Sequence, residues 1–158
     1  MNFLTEHGIG SYEELESRLT AVSARRDTAH TEIKRIEDRA AELSLVTKHA
    51  TTYRQLKPIY DRYRKSGDKE KFLRGHESEI ILFEAAAREL KRLGTVPLPT
   101  TESMKTELAN LNAEKERLLA EYKAARAEAQ EYETVKQNVD ALLTVAKEQE
   151  QQRRHELE

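Results

Sequence analysis

The chain has 158 residues, 35% charged and 37% hydrophobic, with 27 basic against 29 acidic residues and a net charge of −2. It has no Cys, no Trp, five Gly and three Pro. That composition excludes disulfides and thiolate chemistry, excludes a polycation that would seek nucleic acid over its whole surface, and disfavours both a sheet and a large globular core. No apolar run approaches the roughly 18 residues of a membrane span. MNFLTEHGIG has neither the basic flank nor the apolar core of a signal peptide. The expectation is a soluble, cytoplasmic protein with no membrane contact.

Residues 1–10 predict a short helix in NFLTEH, ended by Gly8. Ser11 opens a long helix over 11–66. Glu14 three residues on makes a capping box, and Ile9 lies ready to staple against Leu15. Leu15, Leu19, Val22, Ala29, Ile33, Ile36, Ala40 and Leu43 follow in steps of three and four, interrupted by Arg26. This is one narrow apolar seam. After Leu43 the seam slips by one residue and continues as Val46, Tyr53, Leu56, Tyr60 and Tyr63, which predicts a change of partner. Pro58 falls inside this stretch, so a kink is expected there, with helix continuing to about Lys65.

The break comes at Ser66 to Asp68. Residues 67–100 predict a tip: a short turn DKEKFLR capped by Asp68 and ended by Gly75, a helix over 76–93 ended by Gly94, and the loop TVPLPT. The helix has a wide apolar stripe of Ile80, Ile81, Phe83, Ala86, Ala87, Leu90 and Leu93, with Leu82 beside it. A stripe that wide suits two neighbouring helices. Thr100 caps a second long helix over 101–150. Its seam at positions 104, 108, 111, 115, 118, 122, 125, 129, 132, 136, 139, 143 and 146 is apolar or aromatic at eleven of thirteen sites, with Lys115 and Lys136 the exceptions. The tail, 151–158, has lost the seam and is expected to fray.

Each long helix needs a partner, because neither seam is stable alone in water. The short connection favours the other seam of the same chain; pairing between two chains as a dimer is the alternative. The predicted fold is all-α: an elongated antiparallel, coiled-coil-like hairpin of helices about 75 Å long, with a short third helix packed at the closed end. Ala125 and Ala129 would then lie near Ala40 and Ala41.

Catalytic and metal signatures are missing from the sequence. His7, His30, His49, His76 and His155 form neither His-x-His nor His-Glu-x-x-His, and SGDKEK lacks the glycines of a phosphate loop. No cofactor or metal is expected. The charge is uneven, however. Arg54, Lys57, Arg62, Arg64, Lys65, Lys69, Lys71 and Arg74 face only Asp61, Asp68 and Glu70, so residues 53–74 carry +5 and the rest −7. A cluster of this kind is a candidate phosphate contact, with Tyr and Phe nearby as candidate base-stacking rings. The helical spacing of Tyr53, Tyr60 and Tyr63 points instead to packing on the third helix.

The run YRQLKPIYDRYRKSGDKEKFLRGHESEIILFEAAARELKRLG resembles the C-terminal region of relaxases of the MobA/MobL type, the mobilisation nucleases of conjugative and mobilisable elements. IGSYEELESRL upstream and LPTTESMKTELANLNAEKERLLAEYKAARAEAQEYETVKQNVDALL downstream fit the same region, so the likeness spans about residues 3–146. In that family a separate N-terminal domain nicks transfer-origin DNA with a catalytic Tyr and a histidine-bound metal. Nothing in this chain matches that domain, so the resemblance implies a non-catalytic module and carries over no catalytic residue. The partners it implies are the coupling protein of the secretion channel, relaxosome accessory proteins, or transfer-origin DNA. The rival expectations are a stand-alone nucleic-acid-binding accessory protein and a structural coiled-coil spacer.

Overall fold

A computed structural model describes residues 3–157. They form four helices: α1 (Phe3–Glu6), α2 (Tyr12–Lys65), α3 (Lys69–Arg92) and α4 (Thr101–Leu157). No strand occurs among the described residues. The architecture is an all-α helical hairpin in which α2 packs against α4 and α3. The chain divides into two compact units, one formed by the sequence up to Lys34 with that from Lys115 onward, the other by Arg35–Glu114.

In the first unit, α1 closes on a left-handed glycine. Gly8 has φ +63°. The Ile9 N–H donates to the Leu4 carbonyl at 2.8 Å and the Gly8 N–H to the Thr5 carbonyl at 3.2 Å, the two bonds of a Schellman motif. Ser11 then caps α2, its hydroxyl accepting the Glu14 N–H at 3.1 Å. The Glu14 carboxylate reaches back to the Gly10 N–H at 3.0 Å, one residue before the donor that a capping box uses. The core of the unit gathers Ile9, Leu15, Val22, Ala125, Ala129 and Tyr132. The Phe3 ring lies edge-on to Tyr132, with centroids 5.1 Å apart. Arg25 and Glu128 pair across the helices at 3.6 Å. Arg26, the seam's polar interruption, stays about one-third exposed and bonds Asp27 at 3.1 Å.

At the start of α2, the Tyr12 hydroxyl donates to Asp140 Oδ1 at 2.6 Å. This bond to a carboxylate, reinforced by the charge of Asp140, holds the Tyr12 phenol well above its ordinary pKa. The neutral phenol is the form the fold favours. Any stability from the bond is therefore complete below about pH 10, where an unfolded Tyr titrates, and is lost as pH rises through the folded value. An ultraviolet titration should show Tyr12 ionising late, and Asp140→Asn should move it back toward the ordinary range, with Glu16 and burial still raising it.

In the second unit, Leu43, Val46 and Ala50 of α2 are buried with Ile80, Phe83, Ala86 and Leu90 of α3 and Met104 and Leu111 of α4. α2 passes through Pro58 to Lys65. Its seam beyond the slip does change partner. Tyr53 and Tyr60 both stack on Phe83, at 4.7 and 4.3 Å. Arg39 bonds Glu107 at 2.7 Å and Arg35 lies 3.7 Å from Glu114. These pairs are partly exposed, so each contributes at most about 1 kcal/mol. Thr100 caps α4 by accepting the Ser103 N–H at 3.1 Å.

Several expectations are corrected. Ala125 and Ala129 pack with Leu15 and Val22, not with Ala40 and Ala41. The reason is the start of α4. Arg54 donates to the Pro99 carbonyl and, at 3.2 Å, to the Thr101 hydroxyl. α4 thus begins beside Arg54, about three turns before α2 ends, and those last turns face α3. The α3 stripe is narrower than predicted, with Ile81 and Leu82 each 54% exposed. Gly75 does not end the short turn: it is helical, and the break falls on His76, at φ −136° and ψ 25°. The tail from 151 to 157 is helical, not frayed. Its Gln, Glu and Arg favour helix, and Glu150 pairs with Arg154 at 3.2 Å. It nonetheless buries nothing, and the seam positions Leu143 and Ala146 are exposed.

Two glycines should answer oppositely to Ala. Gly94 has φ +71° and closes α3, with Thr95 N–H to the Leu90 carbonyl at 3.1 Å. A Cβ at Gly94 meets nothing within 4 Å, so Gly94→Ala costs only the left-handed backbone penalty, about 1 kcal/mol. Gly75 is helical with equally open space, so Gly75→Ala should stabilise by about 0.5–1 kcal/mol. Urea melts of the two variants would check the signs.

Candidate nucleic-acid interface

The basic cluster is built by the end of α2, a three-residue connection and the first turn of α3. The Ser66 N–H returns to the Tyr63 carbonyl at 3.2 Å, which closes α2. Asp68 then caps α3, its carboxylate accepting the Lys71 N–H at 3.1 Å. The Ser66 hydroxyl donates to the Asp68 carbonyl at 3.1 Å. These local bonds fix the turn without using any cationic side chain.

The eight predicted contact residues separate into two groups. Arg54 is spent on the loop before α4, as described above. Lys57 bonds Asp61 at 2.9 Å; this bond, with Asp61's charge, raises its pKa, while the neighbouring Arg64 opposes the rise. Arg74 directs Nε at the Glu70 carbonyl, 3.5 Å away. Arg62, Arg64, Lys65, Lys69 and Lys71 are exposed. None of these five makes an ion pair or side-chain hydrogen bond with another described residue.

The aromatic residues near them are occupied. Tyr60 stacks on Phe83, Tyr63 lies 6.2 Å from Phe72, and Phe72 stacks on His76 at 4.5 Å. His76 sits at the break in α3, with Nδ1 3.6 Å from Glu79 Oε2. Elsewhere, His7 stacks on Phe3 at 4.0 Å and His30 lies 5.8 Å from Tyr122. Among the described residues no three His, Asp or Glu are grouped to hold a metal. No helix among them is long and apolar enough to cross a membrane.

Sequence reasoning missed one feature of the same unit. Tyr53, Ala87, Leu90, Lys91, Val96 and Leu98 line an open groove of about 680 Å³. Val96, at its edge, is 77% exposed. The signal available was the apolar loop TVPLPT directly after the Gly94 stop; its packing against Tyr53, some 40 residues earlier, was not readable from local pattern.

Fold and site together define an all-α helical hairpin with a cationic, unpaired turn. Set against protein-family models, curated proteins and solved structures, the chain matches none of them.

Proposed function

We propose that this chain is a non-catalytic helical module that holds DNA through the α2–α3 turn, within a DNA-mobilisation protein of the relaxase kind. The observation that carries the DNA contact is the unpaired state of Arg62, Arg64, Lys65, Lys69 and Lys71, when many charges elsewhere on the helices are matched to neighbours. Five cations gathered within residues 62–71, against Asp68 and Glu70, leave a local excess of positive charge that a polyanion relieves. The relaxase assignment is supported by the run from Tyr53 to Gly94. This reading is of a bacterial, cytoplasmic protein.

Contact with a protein partner, such as the coupling protein or a relaxosome accessory protein, is the second part of the reading. The groove beside Val96 favours it: it is mostly apolar, and Lys91 supplies one cation. Its chemistry fits an apolar side chain flanked by an acidic one.

Fluorescence anisotropy with labelled DNA at low salt tests the DNA contact. The wild-type chain should bind, and the variant Arg62→Ala, Arg64→Ala, Lys69→Ala, Lys71→Ala should lose most of that binding while keeping its helical circular dichroism. Absence of wild-type binding at low salt would remove the DNA contact and leave the partner groove as the working site.

A further inference from the structure

We infer that the α2–α3 turn grips the phosphates of duplex DNA and does not read or stack on bases, so that it binds duplex in preference to single strands and without regard to sequence. The inference rests on the DNA contact proposed above and says which form of nucleic acid the site takes.

Single-strand binding without sequence preference depends on aromatic faces offered to the bases. Three aromatic rings lie in or beside the turn, and all three are partly buried against other rings. Tyr60 lies nearly parallel to Phe83, with an interplanar angle of 23°. Phe72 covers His76 at 29°. Tyr63 is half-buried between Tyr60 and Phe72, 6.0 and 6.2 Å away. Exposing the stacked face of Tyr60 to a base would open the packing between α2 and α3, and exposing that of Phe72 would uncover His76 within α3.

What remains outward is charge alone. Lys65, Lys69 and Lys71 are point charges and Arg62 and Arg64 planar forks that fit phosphate oxygens. Without a free aromatic platform such a set answers to charge density, and duplex DNA carries a phosphate every 1.7 Å or so of its axis, twice the linear density of one strand. Major-groove reading is also unsupported. The end of α2 and the start of α3 meet in a turn at Ser66–Asp68, so neither helix lays a face of base-reading side chains into a groove, and the Ser66 hydroxyl and Asp68 carboxylate are occupied within the turn.

The numbers follow from counterion release. With at most five phosphates neutralised, log K against log salt should have a slope no steeper than about −4.5 on duplex. The weaker counterion condensation on a single strand leaves it about tenfold weaker at 0.1 M salt for the same five contacts.

The test is anisotropy of the full chain with duplexes of two unrelated sequences and with their separated strands, over a salt series. Tyr63→Leu is measured beside the wild type, and circular dichroism checks its fold. The expected result is equal binding of both duplexes, weaker binding of every strand, and duplex affinity unchanged in Tyr63→Leu. Tighter binding of single strands, a preference between the two duplexes, or loss of binding in a folded Tyr63→Leu would overturn the phosphate-only inference while keeping the DNA contact. No binding to any DNA would instead overturn the contact on which it rests.

Discussion

Phe83→Ala should lower stability by about 3–5 kcal/mol, the range for deleting a buried aromatic. Phe83 is 5% exposed and is the ring on which both Tyr53 and Tyr60 of α2 stack, at 4.7 and 4.3 Å. Removing it leaves a hole and strips two tyrosines of their partner. Those tyrosines are the contacts through which the final turns of α2, beyond the start of α4, are held. The comparison variant is Ile81→Ala on the same helix. Ile81 is 54% exposed, so its truncation should stay within about 0.5 kcal/mol. Urea denaturation followed by circular dichroism separates the two. Equal losses would mean that the stripe of α3 is buried more broadly than described.

Leu15→Ala is the corresponding change in the first unit, with an expected loss of about 2–5 kcal/mol. Leu15 is 1% exposed, and its neighbours in the cluster include Ala125 and Ala129. Alanines have no side chain to swing into a cavity, so any closing of the hole falls to larger members of the cluster such as Ile9 and Val22. Leu15 also lies in the first turn of α2, its N–H bonded to the Ser11 carbonyl at 3.1 Å. Leu142→Ala, at a residue 70% exposed on α4, should change little. Hydrogen exchange would add a location: the loss at Leu15 should appear first in amides of α1 and the start of α2.

The parts of this fold that were legible in the sequence are those decided within a few residues. Ser11, Asp68, Thr100 and the glycines at 8 and 94 act where spacing placed them, and Glu14 acts one residue away from its expected donor, because a cap or a left-handed glycine is a local matter. The pairing of α2 with α4 and the entry of α3 as a further partner beyond the slip also followed from the seams. Register did not. A seam repeating every three and four residues fits its partner equally well when slid by a heptad, and nothing local shows that Arg54 will anchor the residues before α4. Ala125 was therefore placed opposite the wrong alanines. The same limit applies to the basic cluster. Its density was plain from composition, whereas its division was not, since the partners of Arg54 lie 45 and 47 residues downstream.

The connection from Ser66 to Asp68 has a consequence of another kind. It interrupts the helices directly after Lys65, the last residue of α2, and directly before Lys69, the first of α3, both exposed. Proteases that cut after lysine need an extended strand of substrate, and short exposed connections supply it most readily. The feature that leaves the cations free to meet phosphates thus also opens the polypeptide to being nicked. A bound polyanion lying across it would act as a shield for the backbone as well as a ligand for the side chains.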